Sequence, residues 1–271
     1  MSNRDTVDNM ERVWHSLSEL CDPLTETAWK TATDCPGWTV QDQIAHMLGS
    51  EERLLGRSVP QHTPRGDLSH VRNEMGQRNE IWVDWRRSRS GAQVLAEFRA
   101  VIAERLQRLR AMRDADFAAM TDTPIGPGTV SDLLQIRIFD AWIHEQDIRR
   151  ALGQPGHLEG PVAEHAVGRV AMALPYVVGR KVQPADGTTV VFHIVGPAGR
   201  TVAVRMDGSR AKFLDPPPVT PTVCLTMDVE TFTCLGCGRV EPRQAVQAGR
   251  VHITGDTVLG ETTVAQMNIM I

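Results

Sequence analysis

The sequence predicts an α+β protein of two domains, an antiparallel four-helix bundle followed by a smaller sheet covered by helices on one side. Three observations carry this reading. Residues 1 to about 153 hold four or five long segments with apolar residues at helical spacing, separated by loop-forming stretches. Beyond Gln154–Pro161 (QPGHLEGP) the pattern changes to alternating, β-branched runs. At 271 residues the chain also exceeds one typical domain. The expected domains are therefore 1–153 and 161–271.

The first helix spans Thr6 to Leu20, with Val7, Met10, Val13, Trp14 and Leu17 on one stripe. TATDCPGWT follows as a turn-rich segment broken by Pro36 and Gly37. Thr39 then starts TVQDQIAHMLGSEERLLGR, with Asp42 at the capping-box position and Val40, Ile44, Met47, Leu48, Leu54 and Leu55 along its apolar face. His46 lies beside that face. Val59 to Asp67 reads as a loop, Leu68 to Trp85 as a moderately helical stretch, and Gln93 to Met112 as a clear helix bearing Val94, Leu95, Phe98, Ile102, Leu106 and Leu109. TDTPIGPGT reads as a second loop. It delivers the chain to TVSDLLQIRIFDAWIHEQDIRRALG, where Thr129 and Asp132 make another capping box and Gly153 supplies a left-handed C-cap.

In the second domain a helix from Val162 to about Val182 precedes TTVVFHIVG and RTVAVRMDGSRAKFL, both strand-like, with Asp207-Gly208 as a hairpin signal. PTVCLTMD and VHITGD read as further strands. Val229–Gly236, Pro242–Ala248 and Thr257–Met270 read as helices.

Composition narrows the function. Hydrophobic residues make up 41% and charged residues 23%, as in ordinary globular proteins, and the net charge of -4 speaks against a nucleic-acid-binding face. No apolar run approaches the ~18 residues of a membrane span, and the start, MSNRDTVDNMER, lacks a signal-peptide core. Five cysteines fit reduced thiols and a cytoplasmic location better than a disulfide scaffold. Cys234 and Cys237 form a C-x-x-C, but without a second pair at zinc-finger spacing or a βαβ context it reads as two unpaired thiols at a helix end. Cys35 and Cys224 read as buried small hydrophobes. Dinucleotide, P-loop and G-x-S-x-G signatures are missing, and the tryptophans read mostly as packing residues.

One constellation carries chemistry. Asp140 and His144 stand four apart, which stacks a carboxylate and an imidazole on one helix face. With His46 from an earlier helix they offer two imidazoles and one carboxylate, a set that suits Zn(II) and, less well, Ni(II), Fe(II) or Mn(II). The competing reading pairs Asp140 with Arg137 or His144 and leaves His46 as a core histidine. Asp147, one turn on, reads either as the acceptor that orients His144 or as the partner of Arg149 or Arg150 on the surface. Glu145 reads as solvated.

Two of these motifs, CPGWTVQDQIAHML and FDAWIHEQDIRRALG, together resemble the mycothiol-dependent maleylpyruvate isomerase family, whose amino-terminal domain is a DinB-like four-helix bundle. PTVCLTMDVETFTCLGCGRVEPRQAVQAGRVHITGD is similar to that family's carboxy-terminal domain, related to sterol carrier proteins. The resemblance implies a divalent metal, usually zinc, on His46, Asp140 and His144, mycothiol as thiol cosubstrate, and a small electrophilic substrate. The implied reaction is isomerisation or S-transfer by a metal-bound thiolate. It also implies an arginine of the second domain that holds a substrate carboxylate, for which the family's GR-like pattern points to Arg239. The family's acid is commonly Glu, so Asp140 is one methylene short of the pattern. A carrier of an apolar ligand, with a vestigial metal site, is the rival reading.

Overall fold

The computed structural model describes residues 1–270, and the chain divides into two compact units, Met1–Gly156 and His157–Ile271. In the first unit α1 (Asn3–Cys21), α3 (Val40–Leu54), α5 (Gly91–Arg110) and α7 (Val130–Leu152) are the long helices; the short α2 (Glu26–Trp29) and α4 (Glu74–Asp84) intervene, and α6 (Asp114–Phe117) follows α5. Local chemistry fixes their starts. Capping boxes of Ser2 with Asp5, Thr39 with Asp42, Ser90 with Gln93 and Thr129 with Asp132 satisfy helix-opening N–H groups that would otherwise be orphaned. Gly153 ends α7 at φ 63°, the left-handed cap expected there. The apolar stripes meet in a core built on Met10, Trp14, Leu17, Ile44, Met47, Leu48, Phe98 and Trp142.

Helix α5 is seated by a glycine. A Cβ built on Gly91 would lie 2.0 Å from Cγ of Trp29, whose ring is buried, while the Gly91 N–H donates to Glu26 Oε2 at 3.0 Å. Gly91→Ala is therefore expected to cost about 1–3 kcal/mol by overpacking, read as a lower denaturation midpoint with an unchanged slope. Cys21, at the end of α1, sits in an environment where burial pushes its thiol up to about 12. It should stay unalkylated by iodoacetamide at about pH 8 in the folded protein and react on unfolding, as peptide mapping would show.

The segment expected as a loop before α7 is instead a two-stranded hairpin, β1 (Met120–Thr123) with β2 (Gly126–Thr129). Its glycines and prolines mask the signal. Gly126 at φ 113° closes the turn, and Pro127 is tolerated in a ribbon with free edges. The stretch before Glu74 is likewise not helical, because the Asn73 side chain caps α4 there by accepting from Gly76 N–H.

In the second unit, α8 (Gly160–Met172) gives way to the one-turn α9 (Leu174–Tyr176) and a wider π-type coil over Val177–Val182. The single helix expected over this stretch is interrupted because Pro175 cannot donate the interior hydrogen bond. The sheet runs β5-β4-β3-β6-β7, made of β3 (Thr189–Val195), β4 (Arg200–Asp207), β5 (Arg210–Leu214), β6 (Val223–Asp228) and β7 (Val251–Gly255). Only the β3–β6 pair is parallel, with Val190 opposite Val223. Asp207 and Arg210 close the β4–β5 hairpin as the Asp-Gly signal predicts. Val190, Val191 and Phe192 are all buried, so this central strand is covered on both faces rather than one. Helices α10 (Val229–Gly236), α11 (Pro242–Gln247) and α12 (Thr257–Ala265) complete the unit, α12 ending five residues before the expected Met270. Cys234 and Cys237 are buried at the end of α10, whereas Cys35 and Cys224 are only half-buried, contrary to expectation. No helix among the described residues is long and apolar enough to cross a membrane.

Candidate metal centre

Helices α3 and α7 bring His46, Asp140 and His144 together. One ligand atom from each lies within 4.8 Å of the others. His46 Nε2 is 3.3 Å from Asp140 Oδ2, and His144 Nε2 is 3.4 Å from Asp140 Oδ1. Around a cation with bonds of ~2.1 Å, tetrahedral ligand atoms stand roughly 3.4 Å apart. Each histidine–carboxylate spacing matches that, though to different oxygens of Asp140, while the three donors as a set spread up to 4.8 Å. Both histidines are buried, and the Asp140 side chain is the most open of the three at 23% exposure.

Protonation suits the same use. Burial pushes His46 down and outweighs Asp140, so His46 is the neutral imidazole that metal binding requires. Burial alone would raise Asp140, but the Arg137 guanidinium and the two imidazoles hold its carboxyl well below the usual carboxylate range. Burial also works against a charge on His144, yet Asp140 and then Asp147 override it and raise its pKa.

The supporting side chains are mostly charged and buried. His144 Nδ1 is 3.5 Å from Asp147 Oδ2, and Arg150 donates to Asp147 Oδ1 at 2.5 Å and to Asp34 Oδ2 at 2.6 Å. The pairing of Asp147 with Arg150 is present, while its approach to His144 is at ion-pair rather than hydrogen-bond distance, and the carboxylate is fully buried rather than at the surface. The Asp140–Arg137 pairing of the competing reading is present as well. Glu145 is not solvated. It is fully buried, accepting from Ser16 Oγ at 2.7 Å and Arg149 Nε at 2.8 Å, because α1 packs against that face of α7.

Two contributors, Trp38 and Glu51, escape the sequence reading, and Arg137 is read there only as a partner of Asp140. Trp38 is not a packing residue alone: its ring centroid lies 5.0 Å from that of His46 and 5.8 Å from that of His144, while its Nε1–H donates to Glu80 Oε2 at 3.0 Å. Arg137 and Glu51 form a buried bridge, with Arg137 Nε donating to Glu51 Oε1 at 2.9 Å and Arg105 Nε to Glu51 Oε2 at 2.9 Å. Their only sequence signal is spacing, Arg137 standing three residues before Asp140 and Glu51 five after His46. Arg239 follows α10 in the second unit, half-buried, where its Nη1 donates to the Cys237 carbonyl at 3.2 Å.

Comparison with known proteins bears on the family and the fold. Residues 10–149 match the model of the mycothiol maleylpyruvate isomerase N-terminal domain, and residues 175–265 match that of the SCP-2 sterol transfer family. A crystal structure of the mycothiol-dependent maleylpyruvate isomerase superposes with a TM-score of 0.59 at 13% identity, over 94% of this chain and 93% of that one. A variant of that enzyme with a histidine replaced by alanine gives the same values. No curated protein matches the chain in sequence. At such identity the superposition speaks for the fold; the family model, which spans more than half of the 271 residues, speaks for descent. The chain belongs to the mycothiol-dependent maleylpyruvate isomerase family.

Proposed function

We propose that the protein is a mycothiol-dependent metalloenzyme, an isomerase or S-transferase for a small electrophile, working in the cytoplasm with a divalent ion, Zn(II) by preference, on His46, Asp140 and His144. The observation that carries this reading is the approach of two imidazoles to one carboxylate inside the bundle at metal-ligand spacing. A divalent ion there would supply the charge that converts a thiol of pKa ~8.5 to thiolate at neutral pH. The chain's own residues prepare the site for it. Burial keeps His46 neutral, and Arg137 keeps Asp140 ionised without a proton to displace. Asp147 stands behind His144, and the Trp38 ring packs against both imidazoles and limits their movement. Arg239 is assigned, by the family pattern, to hold a carboxylate of the electrophile.

The test is turnover of maleylpyruvate and a panel of other electrophiles by zinc-loaded protein with mycothiol. NMR distinguishes isomerised product from thiol adduct. Rates above those of free zinc with the thiol, lost in metal-free protein, are expected. No acceleration on any electrophile refutes the enzyme reading. The match of residues 175–265 to a sterol transfer family favours a second reading, carriage of an apolar ligand by the second unit. Saturable binding of a fluorescent fatty acid with no thiol chemistry would support it instead.

A further inference from the structure

Arg137 presents a donor that the protein leaves without an acceptor. Its side chain is 7% exposed, Nε is taken by Glu51 and Nη1 by Asp140 Oδ2, while Nη2 is buried and has no hydrogen-bond partner among the described residues. A buried unpaired donor costs on the order of 1–3 kcal/mol, more when it is charged. A metal cannot relieve this, because a cation does not accept a hydrogen bond. An anionic oxygen can. Covalent geometry keeps Nη2 beside the Nη1 that touches the candidate metal ligand, so an anion held there lies next to the metal centre.

The donor's own chemistry decides which ligand suits it. Nη2 belongs to a guanidinium, and a carboxylate oxygen meets such a donor with a charge-assisted hydrogen bond. We propose that Arg137 Nη2 is the anchor for a carboxylate of the electrophile, a subsite on the metal helix itself and additional to Arg239. This rests on the metal-thiolate reading above, but it is tested without thiol, so the two fail separately.

The experiment measures binding of maleate and of its monoamide, maleamate, to zinc-loaded protein by calorimetry. Wild type is expected to prefer maleate by about 10-fold, since a charge-assisted hydrogen bond exceeds a neutral one. In Arg137→Gln, measured with enough zinc to keep the site loaded despite its weaker hold on Asp140, that preference should vanish, and Arg137→Lys should restore part of it. A purely structural role for Arg137 would lower both affinities together and leave their ratio intact. Equal affinities in wild type, a preference that survives Arg137→Gln, or one lost only in Arg239→Gln would each overturn the assignment. Should Arg137 variants not fold, a crystal structure of the wild-type protein with zinc and maleate decides the matter. A carboxylate oxygen on Nη2 upholds the assignment, and a water on Nη2 with maleate elsewhere or absent refutes it.

Discussion

Purified His46→Ala and His144→Ala proteins are expected to bind zinc at least about 100-fold more weakly than the parent, beyond the roughly 10–100-fold that losing a hydrogen-bonding partner behind a ligand costs. Each change removes one of the three protein donors whose atoms lie within 4.8 Å of one another among the described residues. Asp147→Asn supplies the graded comparison. It leaves all three donors and weakens only the 3.5 Å contact to His144 Nδ1, so its loss should be the smaller. Competition with a chromophoric chelator reads all three proteins, and stoichiometric zinc retained at parental affinity in both alanine variants would end the assignment. Acid should act through His144. Asp140 and Asp147, working against burial, raise its pKa above the ordinary histidine value of 6.5, so in the metal-free protein it keeps its proton at a pH where a free imidazole has lost it. The entering ion must displace that proton. Zinc affinity is accordingly expected to fall as pH drops from about 8 to 6. His46, pushed below 6.5 by burial, takes up its proton at lower pH than His144 and contributes less to that fall. An affinity that is flat across this window would mean that another group controls release.

What the sequence announces and what it hides divide along a physical line. Signals that repeat locally survive without coordinates. The Thr39/Asp42 and Thr129/Asp132 boxes, the Gly153 cap, the Asp207-Gly208 turn and the four-residue step from Asp140 to His144 each depend on one segment alone, and each is realised as expected. Features that depend on what packs opposite are silent. Glu51 stands in a run of exposed-looking charges, SEERL, and only the approach of α5 and α7 makes it fully buried. Glu145 is misread for the same reason, since α1 covers the side of α7 that periodicity assigns to solvent. The π-type coil at Val177–Val182 follows a proline interruption rather than any pattern of its own. Trp38 contacts the site because its loop is tethered from two directions, by Glu80 on α4 and by the Arg150–Asp34 pair from α7. Neither tether has a local signature.

Glu51 is where folding and the metal centre meet, and removing it should have the largest effect on stability of any single change in the bundle. Its carboxylate is fully buried on α3 and accepts at 2.9 Å from Arg105 on α5 and at 2.9 Å from Arg137 on α7, so one side chain pins three helices. Glu51→Ala leaves Arg105 without this buried counter-charge and Arg137 with Asp140 alone. Breaking a buried pair in this way costs roughly 3–5 kcal/mol, because the remaining charge cannot be resolvated. For a unit of this size the thermal midpoint should fall on the order of 10 °C. Arg105→Met removes one arm but leaves Glu51 paired with Arg137, and is expected to cost less. Replacing Arg105, Glu51 and Arg137 together with Met, Leu and Met removes the charges as well as their partners, and should recover most of the midpoint. It should not recover zinc affinity, because Asp140 then lacks the guanidinium that holds it ionised and in place. Calorimetric scans of the three proteins alongside zinc titrations separate the two effects. A triple variant that regains both stability and zinc would show the bridge to be a structural substitute for a hydrophobic contact. One that regains stability alone would show that the bundle keeps these charges for the site.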